Sequence, residues 1–138
     1  MGHQYGKSMA ATLLEREDYD GAIKAATEAL RGEPGDSEHW FDRASAYAAA
    51  EKYAEAVADF EEARRRDARL QVLDDDMLDD AYFSALLAAA RATSDVAAGC
   101  AKLDRYVTVF PAGRHVSDAG DWQKRLRGEL KSHFVKER

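Results

Sequence analysis

Cysteine occurs once, at Cys100, and proline only twice, at Pro34 and Pro111. One thiol cannot form a disulfide within the chain, so the fold does not depend on an oxidising compartment. A lone cysteine in an alanine-rich run is a small buried hydrophobe rather than a nucleophile. Glycine is held to 9 residues and aromatics to 9%, and β-branched residues are sparse. This excludes collagen-like, disordered and disulfide-scaffold chains, and it argues against a sheet protein. No run reaches ~18 apolar residues, so no membrane-spanning helix is expected. Residues 1–7 lack the basic-then-apolar layout of a signal peptide, which makes the expected location cytoplasmic, or periplasmic if an export signal has been removed.

What the chain has is alanine, 27 residues in 138, together with Glu, Arg and Leu. These are strong helix formers, and the length fits one domain. The composition therefore points to an all-α protein. The net charge of −6 is unevenly spread: residues 1–113 hold 13 basic and 22 acidic side chains, residues 114–138 hold 7 and 4. The basic end includes Lys124, Arg125, Arg127, Lys131 and Lys136, with acids interspersed. Nucleic-acid binding needs a denser basic surface, so no nucleic-acid partner is expected.

A shift of 34 residues places Tyr19 on Tyr53, Ala22 on Ala56, Ile23 on Val57 and Ala29 on Ala63. After nine extra residues a third copy follows, with Val96, Gly99, Leu103, Tyr106 and Val107 in the matching places. Pro34 and Pro111 close the first and third copies. A 34-residue unit of this pattern resembles the tetratricopeptide repeat. The copy at 37–70 matches best, with Trp40, Ala44, Tyr47, Tyr53, Ala56, Phe60 and Ala63 where the family places bulky, small and aromatic residues. Arg43 departs from it, standing where leucine is usual, and so does Tyr106, standing where alanine is usual. The copy at 3–36 is weaker, with Gly6 at a bulky position. The stretch 104–114, with Ala119, is similar to tetratricopeptide segments of bacterial periplasmic proteins of outer-membrane assembly and of the Tol system, which implies a bacterial origin.

The resemblance implies a right-handed superhelical stack of about three helix hairpins, at 3–36, 37–70 and 80–113, in a single domain spanning 1–138. A capping helix follows near 115–136, marked by Ala119, Trp122, Leu126, Leu130 and Phe134 at helical spacing. One hairpin cannot bury its apolar face alone, so hairpins stack, and the last face needs a cover. Small residues at Ala22, Ala44, Ala56 and Gly99 let helices approach closely. Ser37 is a plausible N-cap of the third helix, Ser94 or Asp95 of the sixth, and Arg64, Arg65 and Arg66 complement the dipole at the end of the fourth.

Residues 71–79 are the inserted nine and are rich in aspartate. A calcium loop starting at Asp74 fails, because Asp79 stands at the glycine position and Ala85 at the glutamate position. The acids are better placed as the start of a helix near Asp76, where they favour its dipole. The four histidines, His3, His39, His115 and His133, show no paired metal spacing, and no P-loop, GxSxG or zinc motif is present. Neither an enzyme nor a metal or other cofactor is expected.

In the family, the first helix of each repeat lines a concave groove. The resemblance carries that role to Lys7 and Ala11, to Glu38, Phe41, Asp42 and Ser45, and to Ser84, Ala88 and Arg91. Chaperone-binding members clamp a peptide C-terminus with Lys, Asn and Arg. Here only Lys7 fits, while Ala11, Asp42, Ala81 and Ala85 hold the other places. The expected function is a protein-interaction scaffold that takes a peptide or helix of another protein in a groove of small side chains, with Phe41 as anchor. The alternative is a subunit, or a fragment of a larger assembly, that self-associates into a homo-oligomer through its terminal faces.

Overall fold

The computed structural model describes residues 8–67 and 75–129. Within them the chain is entirely helical: α1 Met9–Glu15, α2 Tyr19–Gly32, α3 Ser37–Ala49, α4 Tyr53–Arg66, α5 Asp75–Ala92, α6 Val96–Val109 and α7 Val116–Leu126. Each helix packs on the next, and α1 with α3 and α3 with α5 also meet. The result is an all-α stack of helix hairpins in which α1, α3 and α5 share one side. Lys7, Leu130 and Phe134 lie outside the described residues.

The 34-residue period is visible in the backbone. α2 and α4 start 34 residues apart, at Tyr19 and Tyr53, and both are 14 residues long. The joints before them share one geometry. Glu17 and Glu51 both adopt a left-handed conformation, with φ of 62° and 63°. The next residues, Asp18 and Lys52, donate their amides to Leu13 O and Tyr47 O at 2.9 and 2.8 Å. This is the helix stop in which a left-handed residue turns the chain and satisfies orphan carbonyls. The third joint is built differently: Asp95 caps α6 by accepting from Ala98 N, and its own amide donates to Thr93 Oγ1.

The core follows the small-residue positions. Ala22, Ala44, Ala56 and Ala63 are fully buried, as is Ala119 in α7. Gly99 permits a close approach of helices: a Cβ there would stand 3.1 Å from the Ala90 carbonyl and 3.3 Å from Leu126 Cδ1. Phe60, Tyr82, Leu86, Leu103 and Tyr106 fill the spaces between helices.

Three expectations change. The N-cap of α3 is Asp36, whose side chain accepts from Glu38 N at 2.9 Å, and Ser37 is already inside the helix. An aspartate available one residue earlier takes the cap. The last helix stops at Leu126 rather than near Phe134. Gly128, at φ 78°, provides the left-handed turn, with Gly128 N bonded to Arg125 O and Glu129 N to Lys124 O. The aspartates that open α5 are not merely a charged helix start. Asp79 is buried, accepts from the Tyr106 hydroxyl, and accepts from Arg114 N at 2.9 Å.

Both departures from the repeat pattern are satisfied by polar partners. Arg43 donates from Nε and Nη2 to the two oxygens of buried Asp59 at 2.7 and 3.1 Å. Its guanidinium lies 5.2 Å from the Trp40 ring centroid and 5.7 Å from that of Tyr47. Tyr106 sits among Phe83 and Phe110 and accepts from His115 N at 3.0 Å.

Candidate functional site: a groove between α3 and α5

Because α3 and α5 touch only lightly, a groove of about 360 Å³ opens between them. Its walls are Ser45 and Ala48 from α3, and Ala81, Ser84, Ala85 and Ala88 from α5. Its floor is Phe60, with Tyr53 at one end, both from α4. Every lining side chain is uncharged. The walls are low because the repeat places alanine and serine on these faces, so a partner backbone can come close. Such a surface offers van der Waals contact and a few hydroxyls.

The wall formed by α5 is held by a polar network behind it. The buried Tyr82 hydroxyl donates to Glu61 in α4, and Arg105 in α6 donates to both oxygens of the same carboxylate. Burial opposes charge on Glu61, but Arg105 and the Tyr82 hydroxyl outweigh it and hold the carboxyl below its usual range. Burial and the neighbouring Glu61 push the Tyr82 phenol up, so it stays a donor. One carboxylate thus ties three helices together. A second hollow of about 350 Å³ lies between α4 and α6, walled by residues such as Val57, Leu86, Lys102 and Arg105.

Of the residues assigned to the groove by resemblance, Ser45, Ser84 and Ala88 line this hollow together. Ala11, Glu38, Phe41, Asp42 and Arg91 are not among its lining residues, and Lys7 lies outside the described residues. Phe41 is half-buried, its ring edge-on to Phe60 with centroids 5.6 Å apart. Asp42 accepts a 2.7 Å bond from the Ser8 hydroxyl, which joins α3 to the start of α1. Ser8 at the same time caps α1 by accepting from Ala11 N at 3.0 Å. Glu38 lies in the first turn of α3. Arg91, at the end of α5, lies over the Trp122 ring of α7, 4.9 Å from its centroid.

Sequence spacing missed two clusters. Glu33, Asp36 and His39 converge across the α2–α3 joint, their ligating atoms within 4.8 Å of one another. The signal is the Glu-x-x-Asp-x-x-His run, which a search for paired histidines passes over. At the other end, His115 stacks flat on Phe83 at 4.5 Å. Its Nε2 meets Asp80 at 2.7 Å and its Nδ1 meets Asp118 at 3.3 Å. That cluster ties α5 to α7.

The architecture of stacked hairpins, with a groove on the α1–α3–α5 side, is a tetratricopeptide-like fold. Solved structures agree. The chain is similar to the TPR2B domain of yeast Sti1 in a pHsp70 complex, at 20% identity and a TM-score of 0.55, over 88% of this chain and 92% of that one. It is also similar to the first TPR of Spaghetti (RPAP3) bound to the HSP90 peptide SRMEEVD, at 18% identity and a TM-score of 0.52, over 86% of this chain and 87% of that one. No family model matches the chain, and no curated protein matches it.

Proposed function

We propose that the protein is an interaction module, with no catalytic role of its own, that holds a peptide or short helix of a partner protein in the α3–α5 groove. The observation that carries this is the hollow of about 360 Å³ with an aromatic floor and walls of small uncharged side chains. A helix with small or apolar residues on one face would seat there, and Ser45 and Ser84 would offer hydroxyls to its polar atoms. One neighbour is in a pHsp70 complex and the other is bound to the HSP90 peptide SRMEEVD, which supports peptide capture as the use of such a fold. The ligand class here differs. Ala11, Asp42, Ala81 and Ala85 stand at places where a carboxylate clamp needs amides and cations, so the partner segment is held by its apolar face and not by a C-terminal carboxylate. In this reading residues 1–138 form one repeat domain with units near 3–36, 37–70 and 80–113. The protein is bacterial and works in the cytoplasm, or in the periplasm after export.

The test uses Ser84→Trp, an exposed position on the groove wall. Partners are captured from a lysate with the wild-type chain and with the variant, and the melting temperatures of both are recorded. Partners lost in the variant at an unchanged melting temperature support the groove. Partners retained by the variant overturn it.

A further inference from the structure

Glu33, Asp36 and His39 form a cluster outside the groove. Glu33 follows the last residue of α2, Asp36 is the N-cap of α3, and His39 lies in the first turn of α3. The loop that brings them together is itself fixed. Asp36 N donates to Glu33 O at 3.1 Å, His39 N donates to Asp36 O at 3.1 Å, and Trp40 Nε1 donates to Pro34 O at 2.8 Å. Both carboxylates face the same ring nitrogen: His39 Nε2 is 2.7 Å from Glu33 Oε1 and 3.5 Å from Asp36 Oδ2.

We propose that this cluster is a divalent transition-metal site, best suited to zinc. One imidazole and two carboxylates are a borderline donor set of the kind zinc accepts. With metal–ligand bonds of ~2.0–2.1 Å, the edge of a tetrahedral site is ~3.3 Å. The two separations at Nε2 lie on either side of that edge, so small side-chain shifts suffice. Asp36 can ligate through Oδ2 without giving up its cap, because the bond from Glu38 N goes to Oδ1. The His39 side chain is 11% exposed and so held in place, while the Glu33 side chain is 63% exposed and can swing onto the ion. That exposure leaves the fourth position open to water. The ion would clip the end of α2 to the start of α3, stiffening the joint between the first two hairpins.

The experiment uses the full chain without an affinity tag, freed of metal with a chelator. Zinc binding is measured by calorimetry, cobalt binding by visible absorption, and the melting temperature with and without zinc. One ion per chain is expected, with a tetrahedral cobalt spectrum and a higher melting temperature in zinc. Glu33→Gln and Asp36→Asn each weaken zinc binding at least about tenfold. Both variants keep the fold, since Glu33 is exposed and asparagine caps a helix as well as aspartate does. His115→Asn leaves the affinity unchanged, because its two carboxylates lie on opposite ring nitrogens and cannot close on one ion. Absence of stoichiometric zinc binding, or zinc binding equal in wild type, Glu33→Gln and Asp36→Asn, overturns the proposal.

Discussion

Arg43 and Asp59, sixteen residues apart on α3 and α4, meet as a two-point ion pair with only 19% and 7% of their side chains exposed. The guanidinium is held in its charged form first by the bond to Asp59, against the cost of burial. Arg43 also reaches Thr27 Oγ1 in α2, so one side chain spans three helices. Restoring the usual leucine, Arg43→Leu, would strand a buried carboxylate. The expected cost is about 3 kcal/mol in urea unfolding. Adding Asp59→Leu should recover most of it, because replacing both charges by apolar groups removes the desolvation penalty.

Glu17 and Glu51 occupy a conformation that glycine adopts without strain. Glu17→Gly and Glu51→Gly should each raise stability by about 0.5–1 kcal/mol, and additively, since they terminate different helices. Chemical denaturation of the single and double variants checks this. A loss of stability at either site would mean that the glutamate side chain contributes more than the backbone costs.

His115 gives the molecule a pH dependence with a definite sign. Burial lowers its affinity for the proton, but the bonds to Asp80 and Asp118 outweigh this, and its pKa rises above the ordinary 6.5. A raised folded-state pKa means that the charged ring favours the fold. That stabilisation is fully present below the ordinary value and is lost as the pH climbs through the raised one. Unfolding free energy measured from about pH 6 to about pH 9 should therefore fall through this window in the wild type. His115→Gln should remove that part of the slope.

Two glycines should respond to alanine with opposite signs. Gly99→Ala drives a methyl toward the Ala90 carbonyl and Leu126, and should cost about 1–2 kcal/mol. Gly120, inside α7, faces open space where a methyl would stand, with nothing beyond the helix's own backbone within 4 Å of it. Gly120→Ala should therefore gain up to about 1 kcal/mol from helix propensity. Thermal melts of both variants decide this.

The stack was legible in the sequence because its determinants are short-range and repeated. Ala22, Ala56 and Gly99 recur at matching places, since every hairpin needs one small residue where its helices cross. The polar devices were hidden for the opposite reason. Arg43 and Asp59, or Tyr106 and Asp79, are partners only once their helices are packed, and nothing in their spacing pairs them. Apolar periodicity continues through Leu130 and Phe134, whereas α7 ends at Leu126 and Gly128 takes a left-handed turn that the periodicity does not signal. At the groove, the repeat register pointed to Ser45, Ser84 and Ala88, which line one hollow. It could not say that Asp42 would be engaged by Ser8, or that Arg91 would turn to Trp122.

Asp79 and Tyr106 hold the turn before α7 through the main-chain amides of Arg114 and His115. The two amide bonds themselves are indifferent to side chains, with proline the one exclusion at each position. Exposed Arg114 is therefore free to drift, whereas His115, stacked on Phe83 and bonded to Asp80 and Asp118, is not, and neither are Asp79 and Tyr106. A saturation library would show this as one permissive position beside three strict ones.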